Sequence, residues 1–235
     1  MLQIQTENDT YLNTINTIED SLVSFYENYL NNVIKGKNQI TLREVDCWQG
    51  RADLVLAKIN GFFSLNIEQA ERLSNLTNAQ VIALLHYKAP RTLSFLKEKL
   101  ALTEPTIKSA LRALIKSGII EVSGKEKYVL NSNFILPKIE FNAFEAKLHN
   151  WKRALYQAVQ YHGFSHYTSV IMPDKYIKPA LCNEDFFRAN GVGLIGVSNN
   201  GEKVVYIEPI KNQPSRKAFY LVGVGKAMQT YLNMM

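Results

Sequence analysis

Phe144-Glu145-Ala146-Lys147 ends an apolar run with a carboxylate and an ammonium two residues apart. Side chains on a strand repeat with period two, so Glu145 and Lys147 share one face and Ala146 points to the other. On a solvated face such a pair is an ion pair worth little. A second acid, Asp53, heads the apolar run Ala52-Asp53-Leu54-Val55-Leu56-Ala57-Lys58. A carboxylate there costs energy to desolvate unless a cation, a metal or several donors answer it, and beside Gly50 it could also cap a turn. Two acids and a lysine become a site only where the fold brings Asp53 next to Glu145.

Those residues sit on a chain with ample apolar content. At 235 residues and 46% hydrophobic content, it suits one large domain or two small ones around a packed core. No apolar run approaches the roughly 20 residues that span a bilayer, and Met1 to Thr10 is too polar for a signal peptide. A cytoplasmic location with no membrane partner is expected. Cys47 and Cys182 form no CxxC pair and read as two buried thiols. A net charge of +6 and a pI near 9.1 are compatible with a polyanionic partner.

The periodicity predicts a helix over Thr17 to Ile34, with Ile18, Leu22, Phe25, Tyr26, Tyr29, Leu30 and Val33 inward. Thr17 or Asn16 is its cap, and Lys35-Gly36-Lys37 its stop. Strands follow over Gln39 to Trp48, through Ile40, Leu42, Val45 and Cys47, and over 52–58. Pro137 to Lys147 reads as another strand and Asn150 to His162 as a helix. Further strands are expected over 167–172, 193–197 and 203–207, the last after an Asn199-Asn200-Gly201 turn, then a terminal helix from Ser215 to Asn233. His162 and His166 are four apart, but Gly163 between them argues against a helical metal pair.

Residues 64–135 have a different character. Helices are expected over Ile67 to Ser74, over Asn78 to Tyr87 with Thr77 as cap, over Thr92 to Leu100 and over Glu104 to Lys116. Gly118 ends the fourth, and strands 119–122 and 127–130 flank Ser123-Gly124-Lys125-Glu126. The run from Leu93 through Thr106-Ile107-Lys108-Ser109-Ala110-Leu111-Arg112-Ala113-Leu114 to Gly118-Ile119-Ile120 resembles the winged helix-turn-helix family. That resemblance implies contacts to duplex DNA from Thr106, Lys108, Ser109, Arg112 and Lys116, with Lys125 and Lys127 on the wing. Lys108, Arg112 and Lys116 recur at i, i+4 and i+8, a spacing that could follow phosphates. Such modules also serve as protein–protein modules, and three basic residues are often a solvated face.

With 64–135 taken as an insertion, the order becomes helix, strand, Asp strand, Glu-x-Lys strand, helix. Gly50-Arg51-Ala52-Asp53, Glu145-Ala146-Lys147 and Gln157-Ala158-Val159-Gln160-Tyr161 together resemble the PD-(D/E)XK phosphodiesterase superfamily, in the QxxxY branch that includes the exonuclease domain of RecB and lambda exonuclease. The chain departs from the pattern in lacking the proline and in separating its acids by a whole domain. The resemblance implies an α/β fold: a restriction-endonuclease-like mixed sheet flanked by helices, built from 1–63 and 136–235, with a winged-helix domain inserted over 64–135.

It further implies that Asp53, Glu145 and the Ala146 carbonyl hold Mg2+ or Mn2+, that Lys147 orients the attacking water, and that Gln157 reaches the metal site or the DNA end. Glu19 is the first-helix acid expected near the metal, with Glu27 behind it. Tyr161 contacts phosphate, braces its helix, or is simply core; Lys152 and Arg153 steer a backbone or stay solvated. The expected activity is endonuclease or exonuclease cleavage of DNA, with a homodimer favoured if both strands are cut. The alternatives are a non-catalytic DNA-binding or regulatory protein that retains the nuclease fold, and a winged helix that holds a protein partner.

Overall fold

A computed structural model of the chain describes residues 19–33, 38–47, 49–198 and 201–235. The expectations placed on Met1 to Ile18, on the 34–37 stop, on Trp48 and on the Asn199-Asn200 turn lie outside the described residues. In chain order the elements are α1 (Glu19–Val33), β1 (Gln39–Asp46), β2 (Arg51–Asn60), α2 (Ile67–Ser74), α3 (Leu76–Leu84), β3 (Arg91–Thr92), α4 (Leu93–Leu100) and α5 (Glu104–Lys116). They continue as β4 (Ile120–Val122), β5 (Lys127–Leu130), β6 (Lys138–Ala146), α6 (Trp151–Tyr161), β7 (Tyr167–Pro173), α7 (Asp174–Leu181), α8 (Glu184–Ala189), β8 (Gly193–Val197), β9 (Lys203–Ile207) and α9 (Lys217–Asn233). The chain forms two compact units, one from 1–58 with 140–215 and the other from 59–139 with 216–235.

The first unit is α/β, a mixed six-stranded sheet in the order β1-β2-β6-β7-β8-β9 flanked by helices. The β1/β2 and β8/β9 pairs are antiparallel, whereas β6/β7 and β7/β8 are parallel. β2 and β6 are neighbours although 77 residues separate their ends, from Asn60 to Lys138. Parallel strands buried on both faces read as apolar runs, and β8 is buried along its whole length. On one face α1 packs Leu22, Val23, Tyr26 and Leu30 against Leu54, Phe144, Ala146 and Ile171. On the other, α6 packs Ala154, Leu155 and Ala158 with Val170, Met172 and Leu194, closed by Ile177 and Phe187. Period two thus sends Phe144 and Ala146 toward α1 and leaves Glu145 for the α6 side.

Helices α7 and α8 were not expected from the sequence. α7 starts directly after Pro173 and contains Pro179, which removes a backbone donor, and α8 has six residues. Neither is long or regular enough to give a clear helical period. Cys182, read as buried, is exposed, whereas Cys47 is buried.

The second unit combines α2 to α5 and α9 with a three-stranded sheet in the order β3-β5-β4. Asn66 caps α2 through a reciprocal box with Gln69, and Thr92 caps α4. α3 is capped by Asn75 and begins at Leu76, one residue before the expected Thr77 cap. α5 buries Ile107, Ala110, Leu111 and Leu114, and Gly118 follows its cap at a φ of 72°, a left-handed turn that suits glycine. The Ser64 amide donates to the Ile135 carbonyl at 3.1 Å, holding the entry and exit of this segment together.

The terminal helix α9 groups with this second unit rather than with residues 140–215. It runs unbroken through Gly223 and Gly225. A Cβ on Gly225 would stand 2.4 Å from the Ser74 amide nitrogen and 2.8 Å from the Ala70 carbonyl, so this glycine is what lets α9 lie against the backbone of α2. Gly225→Ala is therefore expected to destabilise the second unit by about 1–3 kcal/mol, because the clash is with backbone. A urea midpoint equal to that of the unmodified chain would disprove the close approach.

Candidate functional site

The opening condition on the acids is met within the first unit. Because β2 and β6 are neighbours, Asp53 Oδ2 accepts the Ala146 N–H at 2.9 Å, at the end of the strand that carries Glu145. Glu145 is 0% exposed. Its Oε2 accepts a short hydrogen bond from the Tyr161 hydroxyl, whose oxygen also lies 3.0 Å from the Arg51 carbonyl. Its Oε1 has no well-directed hydrogen bond and faces the Lys147 ammonium at 3.2 Å. Lys147, with a side chain 14% exposed, reaches Glu19 Oε2 at 2.8 Å. The Lys147 amide donates to the Ile171 carbonyl at 3.0 Å, so the end of β6 stays anchored to β7.

Electrostatics follow from this crowding. Burial raises the Glu145 carboxyl to about 7, the Asp53 charge pushes the same way, and the Tyr161 hydroxyl and Lys147 only partly oppose them. Burial also raises Asp53, against the pull of the Ala146 amide and Lys147. Burial would lower Lys147, but Glu19 and then Glu145 outweigh it and hold the ammonium above its ordinary value. Desolvation, followed by the Glu145 charge, keeps the Tyr161 phenol protonated. Three carboxylates facing one ammonium leave a net negative cluster. A concavity of about 210 Å3 lined by Glu19, Asp20, Val23, Arg43, Glu44 and Asp53 opens beside it.

The residues named from sequence do not all serve as expected. Glu19 pairs with Lys147 and lines the concavity beside Asp53, whereas Glu27 is drawn away by Arg43 at 2.7 Å. Among the described residues, no three His, Cys, Asp or Glu side chains form a metal-holding group. The donor set nevertheless fits a hard divalent ion of the Mg2+ kind, which takes one or two carboxylates and fills its other positions with water and phosphate oxygens. Buried Glu145 Oε1, lacking a directed donor, is the atom that such an ion would satisfy. Tyr161 is 1% exposed and braces Glu145 from the core. One turn before it, the Oε1 of Gln157 is buried without a hydrogen-bond partner. His162 and His166 act separately, on the Asn190 carbonyl and the Phe141 amide.

Glu44 was missed. It lies in the same concavity, raises the Asp53 carboxyl through its charge, and holds a φ of 53° where the β1/β2 register passes from Arg43↔Leu54 to Val45↔Ala52. A non-glycine residue in that region is strained. The sequence does carry a signal for it. The inward residues shift parity between Leu42 and Val45, which unbroken alternation would not do.

In the second unit, Thr106, Lys108, Ser109, Arg112 and Lys116 are exposed on α5, and Lys125 and Lys127 are exposed at the β4–β5 turn. Glu104 takes Lys108 at 2.7 Å and also pairs with Lys97, so Lys108 is less available to a phosphate than its position suggests. Arg112 and Lys116 make no ion pair among the described residues. None of the described helices is long and apolar enough to cross a membrane. Comparison with models of known protein families, with curated proteins and with solved structures returns no match.

Proposed function

We propose that the chain is a metal-dependent deoxyribonuclease of the PD-(D/E)XK type, with a restriction-endonuclease-like first unit and a winged-helix second unit that binds duplex DNA. The adjacency of β2 and β6, which brings Asp53 to the Ala146 amide beside buried Glu145 and Lys147, carries this reading. Asp53 and Glu145, with the Ala146 carbonyl, would hold Mg2+ or Mn2+, which when bound supplies positive charge to a scissile phosphate and acidifies water. Lys147 holds water against the phosphate. Tyr161 fixes the rotamer of Glu145, and Gln157 lies on the same helix with a free acceptor.

A non-catalytic DNA-binding protein on the same scaffold is the second reading, favoured by the absence of a three-residue metal group among the described residues. The two separate on incubating the purified protein with linear, circular and single-stranded DNA in Mg2+ or Mn2+, beside Lys147→Ala and Asp53→Ala. Metal-dependent cleavage that both substitutions remove supports the nuclease. Cleavage absent from every wild-type reaction, or unchanged in both variants, rejects it. A homodimer is expected if both strands of a duplex are cut.

Duplex binding by the second unit has its own test. Arg112→Ala is expected to weaken affinity and to reduce the slope of log K against log salt by about 1, because one phosphate contact releases about one counterion. An unchanged slope would remove α5 from the interface.

A further inference from the structure

Helix α6 has two faces with different roles. Tyr161 turns toward Glu145, and Gln157, four residues earlier, shares its side of the helix. The other face lines an open groove of about 530 Å3 with Trp151, Lys152, Leu155, Tyr156 and Val159, and Phe186 of α8 forms the opposite wall. Tyr156 is 60% exposed and Phe186 57%. The Trp151 and Phe186 rings are 6.2 Å apart, and the Lys152 ammonium stands 5.7 Å from the Trp151 ring. Exposed aromatic rings clustered in a groove mark a contact surface more than scattered apolar residues do.

Charge selects the occupant. Lys152 is the charged side chain that lines the groove, and among the described residues no acidic side chain lines it; Arg153 on α6 and Glu184 and Asp185 on α8 lie at its margins. Aromatic rings interleaved with cations are the surface on which unpaired bases stack while phosphates are neutralised, and every base offers a π-face. The groove is also tied to the candidate site. The Tyr156 hydroxyl donates to Gln49 Oε1 at 3.1 Å, and the carbonyl of Arg51, two residues along, lies 3.0 Å from the Tyr161 hydroxyl. Only the width of one helix, about 10 Å, lies between the two faces.

We propose, resting on the nuclease reading above, that this groove holds the unpaired bases of a single-stranded DNA segment, stacked on Tyr156 and Phe186 with Lys152 on the phosphates. The preferred substrate is then DNA with a frayed or single-stranded end, not a blunt duplex.

The test is fluorescence anisotropy of the full chain in EDTA with a fluorescein-labelled oligothymidylate of about 12 nucleotides, beside a blunt duplex. Tyr156→Ala and Phe186→Ala are each expected to weaken oligothymidylate binding by about tenfold and to leave duplex binding unchanged. Tyr156→Phe keeps the ring, loses the bond to Gln49, and is expected to retain affinity. Because both side chains are exposed, the variants keep the circular dichroism of the parent. Unchanged oligothymidylate affinity in both alanine variants, an equal loss on the duplex, or binding of apolar peptides without binding of the oligonucleotide would overturn the proposal. EDTA removes cleavage from the readout, so failure of the nuclease reading shows only in the Mg2+ assay.

Discussion

Replacing Lys147 with alanine is expected to lower the rate of DNA cleavage by about 10²–10³-fold, the loss that follows removal of one preorganised charge from a reacting centre. The ammonium is held between buried Glu145 Oε1 at 3.2 Å and half-exposed Glu19 Oε2 at 2.8 Å. Charge placed in advance costs no reorganisation during reaction, which is why its removal acts on the chemical step rather than on binding. Single-turnover cleavage in Mg2+ should fall while duplex affinity, measured by anisotropy in EDTA, holds. A parallel fall in both would assign Lys147 to binding, and an unchanged rate would return it to the role of an ordinary ion pair. Lys147→Arg is not a conservative control, since a planar guanidinium does not fit where a compact ammonium bridges two carboxylates.

Glu145→Gln should abolish metal-dependent cleavage and yet stabilise the fold at alkaline pH. The folded carboxyl titrates near 7 against an ordinary value of 4.5. Between those values the folded chain keeps a proton that the unfolded chain releases. The native state then binds more protons, and stability falls as pH rises through this window. Below it Glu145 is neutral in both states and costs little; above it the fold carries an ionised, fully buried acid facing Asp53. Glutamine removes that penalty at little change in volume. Thermal melts in EDTA should give the variant a Tm several degrees above the parent at about pH 8, with the gap shrinking toward about pH 5. A variant less stable than the parent at the higher pH would show that Lys147 and Tyr161 outweigh desolvation at Glu145.

Much of the scaffold was legible because it repeats. Ile107, Ala110, Leu111 and Leu114 mark α5 by helical spacing, and Gly118 marks its end, because periodic burial and a left-handed turn are local properties. Helices α7 and α8 were not, since a short segment with Pro179 inside gives no period to read. The close packing of α9 on α2 was equally silent, because Gly225 looks the same in sequence whether it breaks a helix or admits a neighbour. Glu19 was named as a site acid, but its ion pair with Lys147 depends on where α1 sits over the sheet.

The sequence by itself determined which residues could act: Asp53, Glu145 and Lys147 by type and spacing, and the shared strand face of the last two by the period of an extended chain. Whether they stand together was decided by tertiary structure. The strand order β1-β2-β6 closes the gap that residues 61–137 open in the chain. Burial, followed by the charge of Asp53, turns Glu145 from a solvated acid into one with a displaced pKa. No local pattern encodes that displacement, because it arises from desolvation by groups far away in sequence.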